Sequence, residues 1–290
     1  MNQVTDAVVP VAGLGTRLLP ATRSQPKEML PLVDRPVVQY VIDELVAAGI
    51  DRVLFVTGRR KRAIEDHFDA DPELDIGPLL DPQLGLRLLY TRQARPAGLG
   101  DAVRLGASLG ATGGVVVALG DAVISGPPGV APGIVARLIA AQAPAGVVAS
   151  VAVEVVPSAA VRRYGIVIPR ESTAPGAPVE VADLAEKPDP GLVESRLAIA
   201  GRYVLGPEIF AELGRTAPDA SGEVQLTEAL RRALAGGGRI VAVPLAAGER
   251  RHDIGTVQSY CEVFLEFALR DPRFGPALRE RAAELLDGER

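Results

Sequence analysis

Short apolar runs that end in glycine alternate with amphipathic stretches through the first half of the chain. Runs such as "DAVVPVAG" and "DRVLFVTG" are typical of buried strands, because apolar residues follow one another without a helical period. "PVVQYVIDELVAAG" instead places Val37, Val41 and Leu45 on one helical face. The predicted strands are 6–13, 51–58, 86–93 and 113–124, and the predicted helices are 36–49, 60–68 and 100–110. This alternation predicts an α/β fold with a mixed, mainly parallel central sheet and helices on both faces.

The pattern changes after about residue 146, where strand-like runs outnumber helical ones. Strands are predicted over 146–156, 197–206 and 239–246, and two more around a Gly/Pro-rich loop within 164–188. Helices are predicted over 222–237 and from Val257 onward. We therefore expect one domain over 1–268, made of a first part at about 1–150 and a smaller β-rich part at about 150–255, followed by a helical tail over 269–290.

Composition and charge narrow the possible classes of protein. The chain has 290 residues and a net charge of −5, which argues against a general nucleic-acid binder. Charged residues interrupt its most apolar region, 115–156, so no span of about 20 apolar residues exists. The start lacks a signal-peptide pattern, and we expect a soluble, cytoplasmic protein with no membrane partner. Cys261, the only cysteine, lies in an apolar helical pattern and is predicted to be buried.

The stretch "VVPVAGLGTRLLPATRSQPKEML" suggests a phosphate site. It lacks the dinucleotide fingerprint G-x-G-x-x-G, because Leu18 stands at the last position, and it lacks the P-loop pattern. Gly13 and Gly15 nevertheless follow a strand and allow backbone N–H groups to approach an anion. Arg17 and Lys27 add two cations. The alternative is an ordinary turn with two solvated charges.

Residues 12–40, "AGLGTRLLPATRSQPKEMLPLVDRPVVQY", resemble the signature of bacterial UTP–glucose-1-phosphate uridylyltransferases, within the sugar-phosphate nucleotidyltransferases. "RPAGLGDAV", "LGDAVI", "YGIV", "EKP", "AIAGRYVL", "GEVQLTEAL" and "HDIG" follow in the same order, so the resemblance spans about 6–268. It implies a Rossmann-like nucleotidyltransferase fold with a smaller sugar-binding β portion. It also implies a Mg²⁺-dependent reaction in which UTP and glucose 1-phosphate give UDP-glucose and pyrophosphate.

The resemblance assigns roles residue by residue. The nucleotide would lie against 1–150, and the sugar phosphate against the second part. The implied catalytic residues are Arg17 and Lys27, and the nucleotide-binding residues are Ala12, Gly13, Leu14, Gly15, Gln93, Gly98 and Gly100. The implied sugar-phosphate residues are Gly165, Glu186, Lys187 and Gly201, with Tyr164 and Glu223 as weaker candidates, and the metal ligands are Asp121 and Asp253.

Elementary chemistry agrees with these roles. Asp121 directly follows the strand "VVVALG", at the edge where open α/β sheets bind ligands, and Mg²⁺ prefers carboxylates together with phosphate oxygens. The Gln93 amide can donate and accept, which suits a uracil edge. For Glu186 and Lys187, a surface ion pair is the alternative. Two features depart from the family pattern: Asp121 lies between Gly120 and Ala122, and the segment 70–85 is short, which leaves the oligomer contacts and the base preference open.

Three other functions remain to be weighed. A thymidylyltransferase would use the same chemistry with dTTP. A catalytically silent sugar-nucleotide-binding regulatory protein would keep the fold without turnover. An NAD-dependent oxidoreductase is disfavoured by the failed fingerprint. The resemblance implies that the C-terminal helices form a homodimer or homotetramer, and their packing on their own domain is the alternative.

Overall fold

A nine-stranded sheet with helices packed against it organises the chain. The computed structural model describes residues 4–69, 85–110, 113–127, 129–171, 174 and 176–288. The strands are β1 Asp6–Pro10, β2 Pro31–Leu32, β3 Arg35–Pro36, β4 Arg52–Thr57, β5 Arg87–Arg92, β6 Val115–Ala118, β7 Ala122–Ser125, β8 Val147–Val155, β9 Gly165–Pro169, β10 Val179–Glu186, β11 Leu197–Leu205, β12 Arg239–Pro244 and β13 Arg250–Asp253. The helices are α1 Val37–Ala47, α2 Arg62–Phe68, α3 Leu99–Arg104, α4 Ile134–Gln142, α5 Pro207–Arg215, α6 Leu226–Ala235, α7 Val257–Arg270 and α8 Gly275–Gly288.

The sheet is mixed, as expected, but it is not mainly parallel. Its order is β5-β4-β1-β6-β11-β8-β12-β10-β9, with a further β11–β9 pairing. Among the described strands of this sheet, four pairings are parallel (β4–β5, β1–β4, β1–β6 and β8–β12) and five are antiparallel (β6–β11, β8–β11, β9–β10, β10–β12 and β9–β11). The difference arises because β11 enters antiparallel between β6 and β8, and because β9 and β10 form a hairpin.

Both faces of the sheet are covered by helices, as expected from the apolar runs. On β1, Val8 belongs to a cluster that includes residues of α5 and α6. Its neighbour Val9 belongs to a cluster on the other face, with Val41 and Leu45 of α1. Adjacent residues of one strand thus reach opposite cores, which follows from the alternation of side chains along a strand.

The predicted run 113–124 is two strands rather than one. β6 and β7 are separated by a turn at Leu119–Asp121, and β7 leaves the main sheet to pair with β13. A Cβ on Gly120 would lie 2.4 Å from a Val11 side-chain carbon, so this turn passes close to the strand before the glycine loop. The break places Asp121 at the edge of the sheet.

Helix boundaries also differ from those expected. α3 ends at Arg104 rather than near residue 110, since Gly106 and Gly110 pack closely against Val8 and Phe210. α6 begins at Leu226 rather than near Gly222. α4 and α5 were not predicted at all, although Pro207 opens α5 in the manner of a first-turn proline.

The C-terminal tail is two helices, α7 and α8, and the expected boundary at 268–269 falls inside α7. Cys261 is exposed, contrary to the prediction of a buried residue. Val263 and Ala268 carry the buried contacts of α7 instead, whereas Phe264 and Leu265 are 37% and 55% exposed. The shortened segment lies, apart from Gly85, outside the described residues. Among those that are described, no helix is long and apolar enough to cross a membrane.

Candidate active site

The loop after β1 is open to solvent at the carboxyl edge of the sheet. Gly13 and Leu14 are exposed, while Ala12 before them is buried. Gly15 has φ 65°, a left-handed conformation that favours glycine, and its carbonyl accepts a hydrogen bond of 2.8 Å from Thr22 Oγ1. The sequence thus produces an exposed, glycine-containing loop whose backbone an anion can approach.

Lys27 and Asp121 are in direct contact at this loop. Lys27 lies in the short 3-10 turn Lys27–Met29, and its Nζ pairs with Asp121 Oδ2. A Cβ on Gly13 would lie 3.7 Å from Lys27 Nζ, so this cation adjoins the glycine loop. Burial opposes the charged form of Lys27, but Asp121 and Glu28 outweigh it and raise the pKa of the lysine. Two residues that are 94 positions apart in the sequence thus share one charged centre.

Asp253 joins Asp121 through the pairing of β7 with β13. Asp253 is opposite Ala122 in that pairing, and the Ile254 N–H donates to the Asp121 carbonyl at 3.2 Å. On the other side of Asp253, a Cβ on Gly255 would lie 3.3 Å from Asp253 Oδ1 and 3.6 Å from an Arg17 guanidinium nitrogen. The two candidate metal ligands and both candidate catalytic cations therefore meet at one edge of the sheet.

Two adjacent carboxylates fit a hard divalent cation that completes its coordination with phosphate oxygens and water. Within the described ranges no group of three or more His, Cys, Asp or Glu side chains forms a metal cluster. Each carboxylate here has a cationic neighbour instead: Lys27 contacts Asp121, and Arg163 is 4.0 Å from Asp253. The donor set thus suits a metal that arrives with a phosphate-bearing substrate better than one held by protein alone.

A buried ion pair lies behind Lys27 and was not predicted from the sequence. Lys61 Nζ donates to Glu28 Oε2 at 2.6 Å, and the two side chains are 5% and 1% exposed. Burial raises the pKa of Glu28 although Lys61 and Lys27 oppose this, and burial lowers the pKa of Lys61. Glu28 directly follows Lys27 in the sequence. Its partner Lys61 lies in the run "RRKR", which reads as a solvated helix start and gives no sign of burial.

A second buried ion pair supports Asp121. Arg202 Nη2 donates to Glu44 Oε2 at 2.8 Å, and the side chains are 0% and 1% exposed. Arg202 also donates to the carbonyls of Leu119 and Ala122, at 3.3 and 2.8 Å. These carbonyls flank Gly120 and Asp121, so Arg202 fixes the turn that carries the candidate metal ligand.

Gln93 follows β5 and is turned toward α3. Its Nε2 donates to the Gly98 carbonyl at 3.2 Å and to Asp101 Oδ2 at 2.8 Å. A Cβ on Gly98 or Gly100 would lie 2.7 or 2.8 Å from the Val224 carbonyl oxygen. Close packing against this backbone accounts for both glycines, and their contact with a base stays a prediction.

The candidate sugar residues form a second group. Gly165 of β9 is opposite Glu186 at the end of β10, and Glu186 Oε2 accepts a hydrogen bond of 2.6 Å from Thr227 Oγ1, a residue missed in the sequence. Lys187 Nζ lies 3.4 Å from Glu186 Oε1, and Lys187 has φ 45°, a strained value for a residue with a side chain. Gly201 is apart from this group: its φ is 79°, and a Cβ there would meet Leu119 at 3.1 Å.

The turn before Gly165 links the two groups. The Arg251 guanidinium stacks 4.3 Å above the Tyr164 ring and donates to Glu154 Oε1 at 2.6 Å. The neighbouring Arg163 faces Asp253. Between Arg251 and Asp253, His252 is buried, which lowers its pKa to about 4, and its ring contacts Ser125 Oγ at 2.8 Å. His252 is therefore neutral near pH 7 and has a structural contact.

Chemically, the arrangement can bind two anions side by side. One end has an open glycine loop, Arg17, Lys27 and two carboxylates, and the other has Lys187 beside a carboxylate and a threonine hydroxyl. No covalent nucleophile is required for a transfer between two bound phosphates, because positioning and charge neutralisation supply the catalysis.

Comparison with known proteins identifies the family of the chain. The family model described as nucleotidyl transferase matches residues 6–269. The UTP–glucose-1-phosphate uridylyltransferase of Bacillus subtilis is 38% identical over 301 residues, covering 99% of this chain and 98% of that protein. A UTP-bound UGPase from Acinetobacter baumannii superposes with a TM-score of 0.85 at 32% identity, covering 97% and 99% of the two chains. A UDP-glucose pyrophosphorylase complexed with UDP-glucose gives 0.79 at 33% identity, covering 91% and 98%.

Proposed function

Since the chain belongs to the nucleotidyl transferase family, we propose that it makes UDP-glucose and pyrophosphate from UTP and glucose 1-phosphate. The observation that carries this proposal is the meeting of Lys27, Asp121 and Asp253 beside the open glycine loop. Uridylyltransferases from bacteria are similar to this chain over nearly its whole length, and solved relatives bind UTP and UDP-glucose.

In this reaction a phosphate oxygen of glucose 1-phosphate attacks the α-phosphorus of UTP. A new P–O bond forms as the bond between the α-phosphorus and its β-bridging oxygen breaks, and pyrophosphate leaves with the electron pair. Arg17 neutralises the leaving pyrophosphate, and Lys27 neutralises the charge that develops at the α-phosphate. Backbone N–H groups of 12–15 hold the triphosphate, and Gln93 meets the base.

Asp121 and Asp253 would hold a divalent cation, which we propose to be Mg²⁺. When bound, the ion supplies charge neutralisation at the phosphate oxygens and helps to orient them. The residues of the chain prepare this site: Arg202 fixes the turn around Asp121, and the β7–β13 pairing fixes Asp253. Lys27 pairs with Asp121 and adjoins the glycine loop, and its ammonium would face the α-phosphate when Asp121 holds the ion.

The sugar phosphate binds at the second group of residues. Glu186 accepts hydrogen bonds from sugar hydroxyls, and Thr227 holds this carboxylate in place. Lys187 neutralises the phosphate of glucose 1-phosphate, and the backbone at Gly165 lies against the sugar. Gly201 contributes through its left-handed backbone conformation, which lets β11 pack closely against Leu119.

One alternative substrate is favoured by a specific observation. The Gln93 amide nitrogen is held by Gly98 and Asp101, and uracil and thymine share the edge that the amide oxygen would meet, so dTTP would fit the same contacts. A silent regulatory protein is disfavoured, because Arg17, Lys27, Asp121 and Asp253 all converge.

The direct test is pyrophosphate release from the purified protein with Mg²⁺, using UTP, dTTP, CTP, ATP and GTP in turn with glucose 1-phosphate and other sugar 1-phosphates. Strong release with UTP and glucose 1-phosphate is expected. Preference for dTTP would make the protein a thymidylyltransferase, and binding of a nucleotide sugar without any release would support the silent protein.

Asp121→Asn tests the metal site within this assay. Turnover should fall by about a thousandfold or more, since an amide is a poor ligand for a hard cation. Thermal unfolding should show that the variant is folded, and Mg²⁺ titration should show a weaker dependence than in the wild-type protein. Near-normal turnover would remove Asp121 from the metal site.

We also propose that the protein is a homodimer or homotetramer. Apolar side chains on α7 and α8 are exposed, with Val257 and Leu265 at 48% and 55%, and Leu285 at 54%. A second copy covering these helices would bury them. Light scattering should give a dimer or tetramer, and Leu265→Glu should shift the mass toward the monomer.

A further inference from the structure

We propose that Asp101 makes the nucleotide site prefer uracil and thymine to cytosine, because it fixes the direction of the Gln93 side-chain amide. The inference rests on the proposed function, in which Gln93 meets the base. Asp101 lies in the first turn of α3, and Gln93 directly follows β5. The two side chains meet at the carboxyl edge of the sheet.

The two partners of the Gln93 amide leave only one orientation for it. Nε2 donates to the Gly98 carbonyl oxygen and to Asp101 Oδ2, at 3.2 and 2.8 Å. A carbonyl and a carboxylate accept hydrogen bonds and donate none, so the amide nitrogen must face them and the oxygen must face away. Gln93 is only 7% exposed, so water cannot easily replace either partner if the amide turns over.

Arg104 completes the arrangement. Its Nη2 donates to Asp101 Oδ1 at 2.6 Å, one helical turn further along α3. The guanidinium thereby occupies one carboxylate oxygen and leaves the other for Gln93. The hydrogen bonds from Arg104 to Asp101 and from Gln93 to Asp101 fix the position of the Asp101 carboxylate as well as the direction of the Gln93 amide.

A fixed Oε1 acceptor distinguishes between bases. Within the described residues, Gln93 Oε1 takes part in no hydrogen bond and is thus available for the base. Uracil and thymine present an N3–H donor, whereas cytosine has a lone pair at N3. An acceptor facing N3 therefore favours UTP and dTTP over CTP, and it does not separate UTP from dTTP.

A purely structural role for Asp101 makes a different prediction. An acidic residue in the first turn stabilises a helix through its dipole and through an i,i+3 ion pair. Loss of that stabilisation would weaken all nucleotides alike and would leave their ratio unchanged. The UTP:CTP ratio is therefore the quantity to measure.

The test compares Asp101→Asn and Asp101→Ala with the wild-type protein. In Asp101→Asn the new amide can present its NH₂ group to Gln93, which would set two donors against each other, whereas alanine only removes the acceptor. Glu212→Gln is the matched control, because Glu212 on α5 makes a similar i,i+3 pair with Arg215 at 2.8 Å and is 18% exposed, against 17% for Asp101. For each protein, kcat/KM with glucose 1-phosphate and the Kd without it are measured for UTP, dTTP and CTP.

We expect the UTP:CTP ratio to fall by about tenfold in Asp101→Asn, by less in Asp101→Ala, and not at all in Glu212→Gln. An unchanged ratio in both Asp101 variants would overturn the inference, and so would a wild-type protein that binds CTP as well as UTP. If the wild-type protein shows no turnover, the proposed function fails by itself. The Kd ratios then still decide the role of Asp101, and the alanine variant decides it if the asparagine variant does not fold.

Discussion

Two buried ion pairs stand behind the contact between Lys27 and Asp121, and they are built differently. Lys61 and Glu28 form one bond of 2.6 Å, and no backbone group is bonded to the Lys61 ammonium among the described residues. Arg202 and Glu44 form a multiple contact, and the same guanidinium donates to the carbonyls of Leu119 and Ala122. The Lys61–Glu28 pair acts only through its charges. The Arg202–Glu44 pair also fixes the backbone at Leu119 and Ala122.

The difference follows from the chemistry of the two cations. Lysine has a compact ammonium that suits one strong contact, whereas the planar guanidinium of arginine has five donors and can satisfy a carboxylate and several carbonyls together. Lys61 thus adjusts the charge around Glu28 and Lys27. Arg202 defines the shape of the turn that carries Asp121. The site therefore has one electrostatic support and one structural support.

Arg202→Met should have the largest effect on stability. It leaves Glu44 buried without a partner and removes donors from two carbonyls, which together should cost about 3–5 kcal/mol. Denaturant unfolding at neutral pH measures this loss. Turnover should also fall strongly, because the turn at Asp121 is no longer held.

A double variant and a control distinguish the two effects of losing Arg202, namely the unpaired charge of Glu44 and the unsupported turn at Asp121. In Glu44→Leu/Arg202→Met the unpaired charge is gone, so much of the stability should return while turnover stays low. Arg137→Met is the control, since Glu249 keeps N–H donors from Gly133 and Ala246, and the loss there should be about 1 kcal/mol or less. Full recovery of turnover in the double variant would show that Arg202 does not shape the metal site.

Lys61→Met should have a smaller effect that depends on pH. Burial already raises the pKa of Glu28, and removal of Lys61 should raise it further. A raised folded-state pKa contributes stability below the unfolded pKa of about 4.3, and this stability is lost as the pH rises through the folded value. The variant should therefore be close to the wild-type protein in stability at about pH 4.5 and clearly less stable at about pH 7.5.

The pH series compares the two pairs directly. Arg202→Met should remain unstable at about pH 4.5, because the carbonyls of Leu119 and Ala122 lose their donors at any pH. Glu28→Gln/Lys61→Met serves as the control for Lys61→Met and should show little dependence on pH. An equal loss at both pH values in Lys61→Met would show that packing of the lysine stem, rather than charge, stabilises this region.

The candidate ligands could be predicted from the sequence, whereas the residues that support them could not. Arg17, Asp121 and Asp253 stand near glycines or strand ends, and Lys27 lies in the family-like run "PKEML", so local pattern and family resemblance predict ligands there. Lys61, Arg202 and Thr227 have partners 33, 158 and 41 positions away, at Glu28, Glu44 and Glu186. No local pattern encodes such pairings, and a charged residue next to other charged residues is usually solvated.

The fold shows the same limit. Apolar runs predicted most strands correctly, because burial is recorded residue by residue. They could not reveal that β11 inserts antiparallel between β6 and β8, since strand direction depends on connections rather than on composition. Cys261 was placed wrongly for a related reason: an apolar helical pattern shows that a face is apolar but does not show what covers it.

The exposed pair of the sugar site offers the smallest expected effect on stability and the sharpest contrast with the buried pairs. Lys187 and Glu186 are 57% and 31% exposed, so their ion pair should contribute less than about 0.5 kcal/mol. Lys187→Met should therefore leave the unfolding midpoint unchanged and raise the KM for glucose 1-phosphate by about tenfold, with little change in kcat.

The strained φ of 45° at Lys187 adds a second variant, Lys187→Gly. This variant should raise the KM equally while stabilising the fold, since glycine accepts this conformation without cost. An unchanged KM in both variants would reject the phosphate contact. Destabilisation by glycine would show that the strain at Lys187 is already relieved by its neighbours.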